Sequence, residues 1–184
     1  MKALALLLLA PLCSCAIEEP AFESVRKEGN FEVRKYAAIP VVSAPMDDMG
    51  KRDESFRTLF RYISGGNEEK KKIAMTSPVF MEDGGEKKEG RMSFMIPAKV
   101  SEKGAPVPNA EDVTVSEIGG GTFAVLRFKG WKDEAKQDKA IEDLAKLVAD
   151  GKLKPIGKPF FAFYDPPWTL EMFRTNEVWQ RVEP

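Results

Sequence analysis

Lys51-Arg52-Asp53-Glu54-Ser55-Phe56-Arg57-Thr58-Leu59-Phe60-Arg61-Tyr62-Ile63-Ser64-Gly65-Gly66 is the stretch on which the fold turns. Its apolar residues Phe56, Leu59, Phe60 and Ile63 fall at i, i+3, i+4 and i+7, which makes one continuous stripe on a helix over 51–63. Gly65-Gly66 then stops it, because glycine accepts the left-handed conformation that closes a helix. Strand patterns lie on both sides. Upstream, 31–36 (FEVRKY) alternates apolar and polar, and 40–46 (PVVSAPM) is a second, proline-interrupted strand. Downstream, 73–80 (IAMTSPVF) and 91–96 (RMSFMI) read as a strand pair around the polar hairpin loop 82–90. After the proline-rich connector 101–109 the order recurs. Strands at 112–118 and 122–128 precede a helix at 133–149 with Ile141, Leu144, Ala145 and Val148 on one face, closed by Gly151. Strands at 160–164 and 178–182 follow.

Two like units in one chain suggest duplication, with repeats of about 23–104 and 105–184. Neither unit closes a core alone, since one amphipathic helix on four short strands leaves open edges. Together they predict an α+β domain: a distorted antiparallel β-barrel of about eight strands with two amphipathic helices outside it.

Composition narrows the chemistry. The 184 residues carry 28 Lys+Arg against 29 Asp+Glu, with two Cys and no His. That length suits one ordinary domain, and the balanced charge argues against a nucleic-acid partner. Without histidine there is no Ser-His or Cys-His dyad, no His-ligated zinc and no His-ligated haem iron.

Both cysteines sit in an N-terminal leader. Met1-Lys2, the apolar run 3–10 (ALALLLLA) and Leu12-Cys13-Ser14-Cys15 read as a secretory signal too short to span a bilayer. The order Leu, x, small, Cys resembles the lipobox of bacterial lipoproteins. Residues 1–14 would then be the signal, Cys15 the lipidated first residue of the mature chain, and 15–22 a tether. The expected location is the cell envelope, on the outer membrane facing the periplasm if the source is Gram-negative. An unlipidated signal would give a soluble secreted or periplasmic protein instead. No polybasic patch accompanies the anchor, so membrane contact is expected through the lipid only.

Tyr62-Ile63-Ser64-Gly65-Gly66-Asn67, followed by Lys72-Ile73-Ala74-Met75-Thr76-Ser77-Pro78-Val79, resembles a hallmark of the SOUL haem-binding family. So does Tyr164-Asp165-Pro166-Pro167-Trp168-Thr169 with Arg174-Thr175-Asn176-Glu177-Val178-Trp179. The FEVRKY strand, Met95-Ile96-Pro97, Val107-Pro108 and Phe128-Lys129-Gly130-Trp131 add to it, and the likeness runs over roughly 23–182. It implies a pseudo-twofold barrel of two βαββ-type repeats. It also implies non-covalent binding of haem or another tetrapyrrole in an apolar cleft beside the first helix, without one shared axial ligand. Some members offer a His to iron, and this chain departs from them. A porphyrin here would be held by its apolar face, with its propionates paired to cations. The candidates are Phe56 and Phe60 for the face, and Arg57 and Arg61, i and i+4 neighbours flanking the stripe, for the propionates. Met75 is a candidate thioether ligand, and Tyr36, Tyr62 and Tyr164 are candidate phenolates.

Each candidate also has a purely structural reading. The stripe from Phe56 to Ile63 packs a helix on a sheet. Arg57 and Arg61 serve as solvated charges, and Met46, Met75, Met81, Met92, Met95 and Met172 as core filler. Asp165, Asn176 and Glu177 read as turn residues, and Gly119-Gly120-Gly121 as a hairpin turn. No metal-binding motif and no catalytic set stands out. The expected function is therefore a binding module acting as carrier, buffer or sensor. The alternatives are an interaction or structural envelope lipoprotein, or a binder of another amphipathic small molecule, since the barrel also resembles the effector-binding domains of transcription regulators. An enzyme acting on tetrapyrroles has least support, because only carboxylates, Lys, Tyr or Ser remain for acid–base work.

Overall fold

The alternating residues of FEVRKY form a strand as expected, and eight more strands join it in one antiparallel sheet. The computed structural model describes residues 17–46, 52–84, 90–130, 134–166 and 168–183. In chain order the elements are β1 (Phe22–Glu28), β2 (Phe31–Tyr36), β3 (Ile39–Pro45), α1 (Arg52–Ile63), β4 (Val79–Glu82), β5 (Arg91–Met95), α2 (Ala98–Ser101), β6 (Thr114–Ile118), β7 (Gly121–Phe128), α3 (Glu134–Asp150), β8 (Pro155–Phe163) and β9 (Asn176–Val182). The strand order is β1-β2-β7-β9-β8-β4-β5-β3-β6. The fold is thus α+β, with the sheet curled into a half-barrel whose edges are β1 and β6.

Period-two alternation sends side chains to two buried faces. On one, Val42, Met92, Phe94, Leu126, Phe161 and Val178 meet Leu59, Tyr62 and Ile63 of α1 and Ala140, Leu144 and Val148 of α3. There α1 packs on β3 and β5, and α3 on β7 and β9. On the opposite face Tyr36, Phe80, Phe123, Phe160 and Trp179 form an aromatic cluster. Trp179 is its centre, stacked on Tyr36 at 4.6 Å and edge-on to Phe80 at 5.5 Å.

The order β2-β7-β9-β8-β4-β5-β3-β6 maps onto its own reverse when β2, β3, β4, β5 exchange with β6, β7, β8, β9. That is the pairing two like units would give. Duplication as a history is an inference from the sequence pattern.

Several expectations need correction. β1 was not anticipated: all seven of its residues are exposed, so it has no apolar alternation to betray it. It begins inside the stretch read as a tether. Glu18 in that stretch is docked too, with Ser77 N–H donating to its carbonyl at 2.9 Å and Ala98 N–H to its Oε1 at 2.8 Å. Of the strand expected at 73–80, only its end belongs to β4. Residues 73–77 find their partners elsewhere, as in Ile73 N–H to the Ile63 carbonyl at 2.8 Å and Thr76 Oγ1 to the Met95 carbonyl at 2.7 Å. Gly119-Gly120-Gly121 is not a hairpin turn, because β6 pairs with β3 and β7 with β2 and β9. The glycines turn a corner between separated strands, and a Cβ on Gly120 would come within 2.9 Å of Ala38 N. At the end of α3, the left-handed residue is Lys152 (φ 53°), not Gly151. Ala145 faces solvent, and Gln137 and Ala140 take its place in the buried stripe. Met46, Met81, Met92 and Met95 are core residues, whereas Met75 and Met172 are exposed.

Candidate functional site

α1 ends in a Schellman closure. Gly66 N–H donates to the Arg61 carbonyl at 2.9 Å and Gly65 N–H to the Tyr62 carbonyl at 3.2 Å. Gly65 has φ 110°, and a Cβ on Gly66 would lie 2.7 Å from the Arg61 oxygen. The buried side of the helix is Ser55, Leu59, Tyr62 and Ile63. Phe60, read as part of the stripe, is 47% exposed and is not core. Polar residues fill the stripe instead, because their hydroxyls are satisfied: Ser55 Oγ donates to the Pro45 carbonyl at 2.7 Å and Tyr62 OH to the Pro106 carbonyl at 2.8 Å.

This rotation leaves an aromatic ledge. Phe56 is half-buried and edge-on to Phe94 at 5.2 Å, and its ring stacks with that of Phe60 at 6.2 Å and 12°. Arg57 and Arg61 are exposed on the same helix, one turn apart. Four of the five candidate binding residues therefore share one element. The fifth, Met75, is 47% exposed in the segment between α1 and β4.

The three tyrosines are held as phenols. Burial pushes the hydroxyls of Tyr36 and Tyr164 well above the ordinary phenol range, with the Glu177 charge adding to this at Tyr164, and raises that of Tyr62. A phenolate ligand to iron needs the opposite shift.

Tyr36 and Tyr164 belong to a polar network on the face away from the helices. Glu177 is fully buried there, inside β9 and not in a turn. Arg34 grips it with two 3.0 Å hydrogen bonds, while Tyr164 OH donates at 2.8 Å, Trp179 Nε1 at 3.0 Å and Arg127 Nη2 at 3.1 Å. Arg34 Nε also donates to Glu32 at 2.9 Å, and Ser24 Oγ to Glu32 at 2.6 Å. Burial alone would raise the Glu177 carboxyl, but the hydrogen bonds and charge of Arg34, with Tyr164 and Trp179, outweigh it and hold the group below the usual carboxylate range. The network clamps β2 to β9 across β7. Its sequence signal is parity: Glu32, Arg34 and Tyr36 alternate on one strand as Glu177, Trp179 and Arg181 do on another.

Two clefts can be described. One, of about 600 Å³, lies on the face away from the helices. Val41, Phe123 and Phe160 give it apolar walls, and its charged lining is balanced, Arg91, Lys158 and Arg181 against Glu82, Asp83 and Glu117, with Arg91 paired to Glu82 at 3.2 Å. Its size falls within the ~300–1,000 Å³ usual for small-molecule pockets. The other, of about 630 Å³, lies beside Lys129, Lys136, Leu170 and Met172. Neither is lined by a residue of α1. Cys15 lies outside the described residues, among which no group of three or more His, Cys, Asp or Glu is placed to hold a metal.

Comparison with known proteins agrees with this architecture. A family profile described as "SOUL heme-binding protein" matches residues 17–181. Heme-binding protein 2 of Homo sapiens is 30% identical, aligned over 92% of this chain and 89% of the human protein. Among solved structures, the EcmrR C-terminal domain superposes with TM-score 0.60 at 16% identity, covering 83% of this chain and 96% of that domain. A hydrolase from Listeria innocua superposes with TM-score 0.62 at 9% identity, covering 86% of this chain and 94% of that one. At such identities these two likenesses concern the fold alone. The profile match over nearly every strand and helix, and the human relative with it, make this chain a member of the SOUL heme-binding family.

Proposed function

We propose that this protein binds haem or a related tetrapyrrole by its apolar face, without a His ligand, as a lipid-anchored carrier, buffer or sensor exported to the cell envelope. Family membership supports the ligand class. The observation that carries the mode of binding is the Phe56–Phe60 ledge, exposed at Phe60, with Arg57 and Arg61 beside it. Stacking on such rings suits a flat macrocycle, and guanidinium groups suit propionates. When bound, haem would supply its iron to the site. This chain's residues would grip the porphyrin edge and face, with the Met75 thioether as a candidate sulfur ligand on an exposed residue. Signal cleavage and acylation at Cys15 belong to the same proposal and rest on the leader sequence.

Binding is favoured over catalysis by the state of the buried carboxylates. Glu32 and Glu177 are both held low and fully partnered, the reverse of what a general acid needs.

Titration of the domain, freed of any His-tag, with hemin and with metal-free protoporphyrin tests the proposal. Saturable binding of both with affinities within about threefold is the expected result for face binding. Saturation by neither would remove the ligand. Binding of hemin alone would show that iron ligation carries the affinity. A second reading rests on the 600 Å³ cleft, which would take an amphipathic small molecule between Phe123, Phe160 and its mixed-charge rim. Competition of such a molecule with protoporphyrin, unaffected by Phe60→Ser, would favour that cleft.

A further inference from the structure

The connection from β8 to β9 presents large apolar side chains to solvent. Trp168 is 82% exposed, Leu170 66%, Met172 63% and Phe173 68%. Exposed apolar residues scattered singly need no explanation, but four within six positions form a patch that calls for a partner. The backbone beneath them is closed on itself. Tyr164 N–H donates to the Thr175 carbonyl at 3.3 Å, Thr169 N–H to Pro166 at 3.0 Å, Phe173 N–H to Leu170 at 2.9 Å and the buried Arg174 Nε to Thr169 at 2.6 Å. Lys129 Nζ ties the Met172 carbonyl to the body at 2.9 Å. The described backbone of the connection thus has its hydrogen bonds turned inward while these four apolar side chains face outward, which suits entry into an apolar phase.

A second observation names that phase. The described chain starts at Ile17, itself 60% exposed, and its neighbour Glu18 receives the Ser77 N–H at 2.9 Å. Ser77 Oγ in turn donates to the carbonyl of Tyr164, the first residue of the connection, at 3.4 Å. The described chain therefore enters the fold beside the first residue of the connection, with Cys15 two residues upstream of Ile17 in the sequence. Lys129 and Lys136 stand beside Leu170 and Met172, cations at the rim of an apolar surface. Aromatic and aliphatic side chains rimmed by lysine are what the interface of an anionic bilayer accepts.

We propose that the β8–β9 connection docks on an anionic phospholipid bilayer. Trp168, Leu170, Met172 and Phe173 enter the interfacial layer, and Lys129 and Lys136 meet headgroup phosphates. Docking goes beyond tetrapyrrole binding and does not need the lipid on Cys15. It sets how the anchored domain lies on its membrane.

The chain from Ile17, which holds every described strand and helix, is mixed with vesicles of phosphatidylglycerol and phosphatidylcholine. Co-sedimentation is expected, weakening as salt rises, with quenching of Trp168 emission by brominated lipid that Trp168→Phe removes. Leu170→Ser with Met172→Ser should lower partitioning at least tenfold without moving the thermal midpoint, since both side chains are exposed. Lys136→Glu should weaken binding to anionic vesicles only. Absence of sedimentation, or sedimentation with Trp168 unquenched, overturns the proposal. So does a patch that fails to bind vesicles while Leu170→Ser with Met172→Ser abolishes protoporphyrin binding, which would assign it to the ligand cleft. Vesicle binding by a chain that does not bind hemin leaves docking standing and removes the ligand reading alone.

Discussion

Removing the carboxylate of Glu177 would leave the Arg34 guanidinium in the sheet interior with only Glu32 and Tyr36 as partners, and would orphan Trp179 Nε1 and Tyr164 OH. Breaking a buried ion pair by removing one partner costs about 3–5 kcal/mol, so Glu177→Ala should lower the urea midpoint by that equivalent. Arg34→Met with Glu177→Leu should recover part of it, because the pair then leaves together. A single mutant within 1 kcal/mol of wild type would show that water enters to replace the partner. The sequence hides this residue. Glu177 sits one position after Asn176 at the end of a polar loop, where a turn is the ordinary reading. Only its parity with Trp179, inside a strand buried on both faces, marks it as inward.

At the scale of elements, α1 shows how far periodicity carries. Counting apolar letters finds the helix and its glycine stop. It misplaces the buried face by a fraction of a turn, because Ser55 and Tyr62 are core residues whose hydroxyls find backbone partners. The error exposes the candidate site: Phe60 is left outside, where a ligand can reach it. Leu59→Ala should therefore cost about 2–5 kcal/mol in unfolding. Phe60→Ser should change stability by no more than about 0.5 kcal/mol yet weaken protoporphyrin binding severalfold, as should Arg61→Glu. Unchanged affinity in both variants would move the ligand off this helix. The edge strand β1 was illegible for a simpler reason. A strand with every side chain exposed carries no pattern of burial, and its place is set by backbone pairing with β2 and by contacts of Phe22 and Ser24 with that strand's side chains.

For the whole molecule, the order of β2 to β9 and of the two long helices could be read from the sequence, and their pairing could not. The corner at Gly119–Gly121 looks locally like a hairpin, and only the long-range partners of β6 and β7 show otherwise. One property does follow from composition. No His is present and both Cys lie before residue 17, so no side chain of the domain ordinarily titrates between about pH 5 and 9. Glu32 and Glu177 are held low, so their contribution is complete above their unfolded values near ~4.3 and fades as acid carries the pH through their folded ones. The phenols of Tyr36, Tyr62 and Tyr164 are raised, so theirs is complete below ~10 and is lost as the pH climbs beyond it. Urea midpoints should be flat across neutrality and fall at both ends. A step near pH 6–7 would contradict this.

The half-barrel never shuts, and its two borders differ from a seam in what they offer a neighbour. A rim of amide groups invites a foreign strand to extend the sheet. Along β1 that invitation is spoiled twice. The register slips between Ser24 and Arg26, bending the ribbon, and Glu23, Arg26, Lys27 and Glu28 would each have to shed water before another copy could lie alongside. Protection from runaway fibre growth along that border is thus written into a strand that buries none of its own residues.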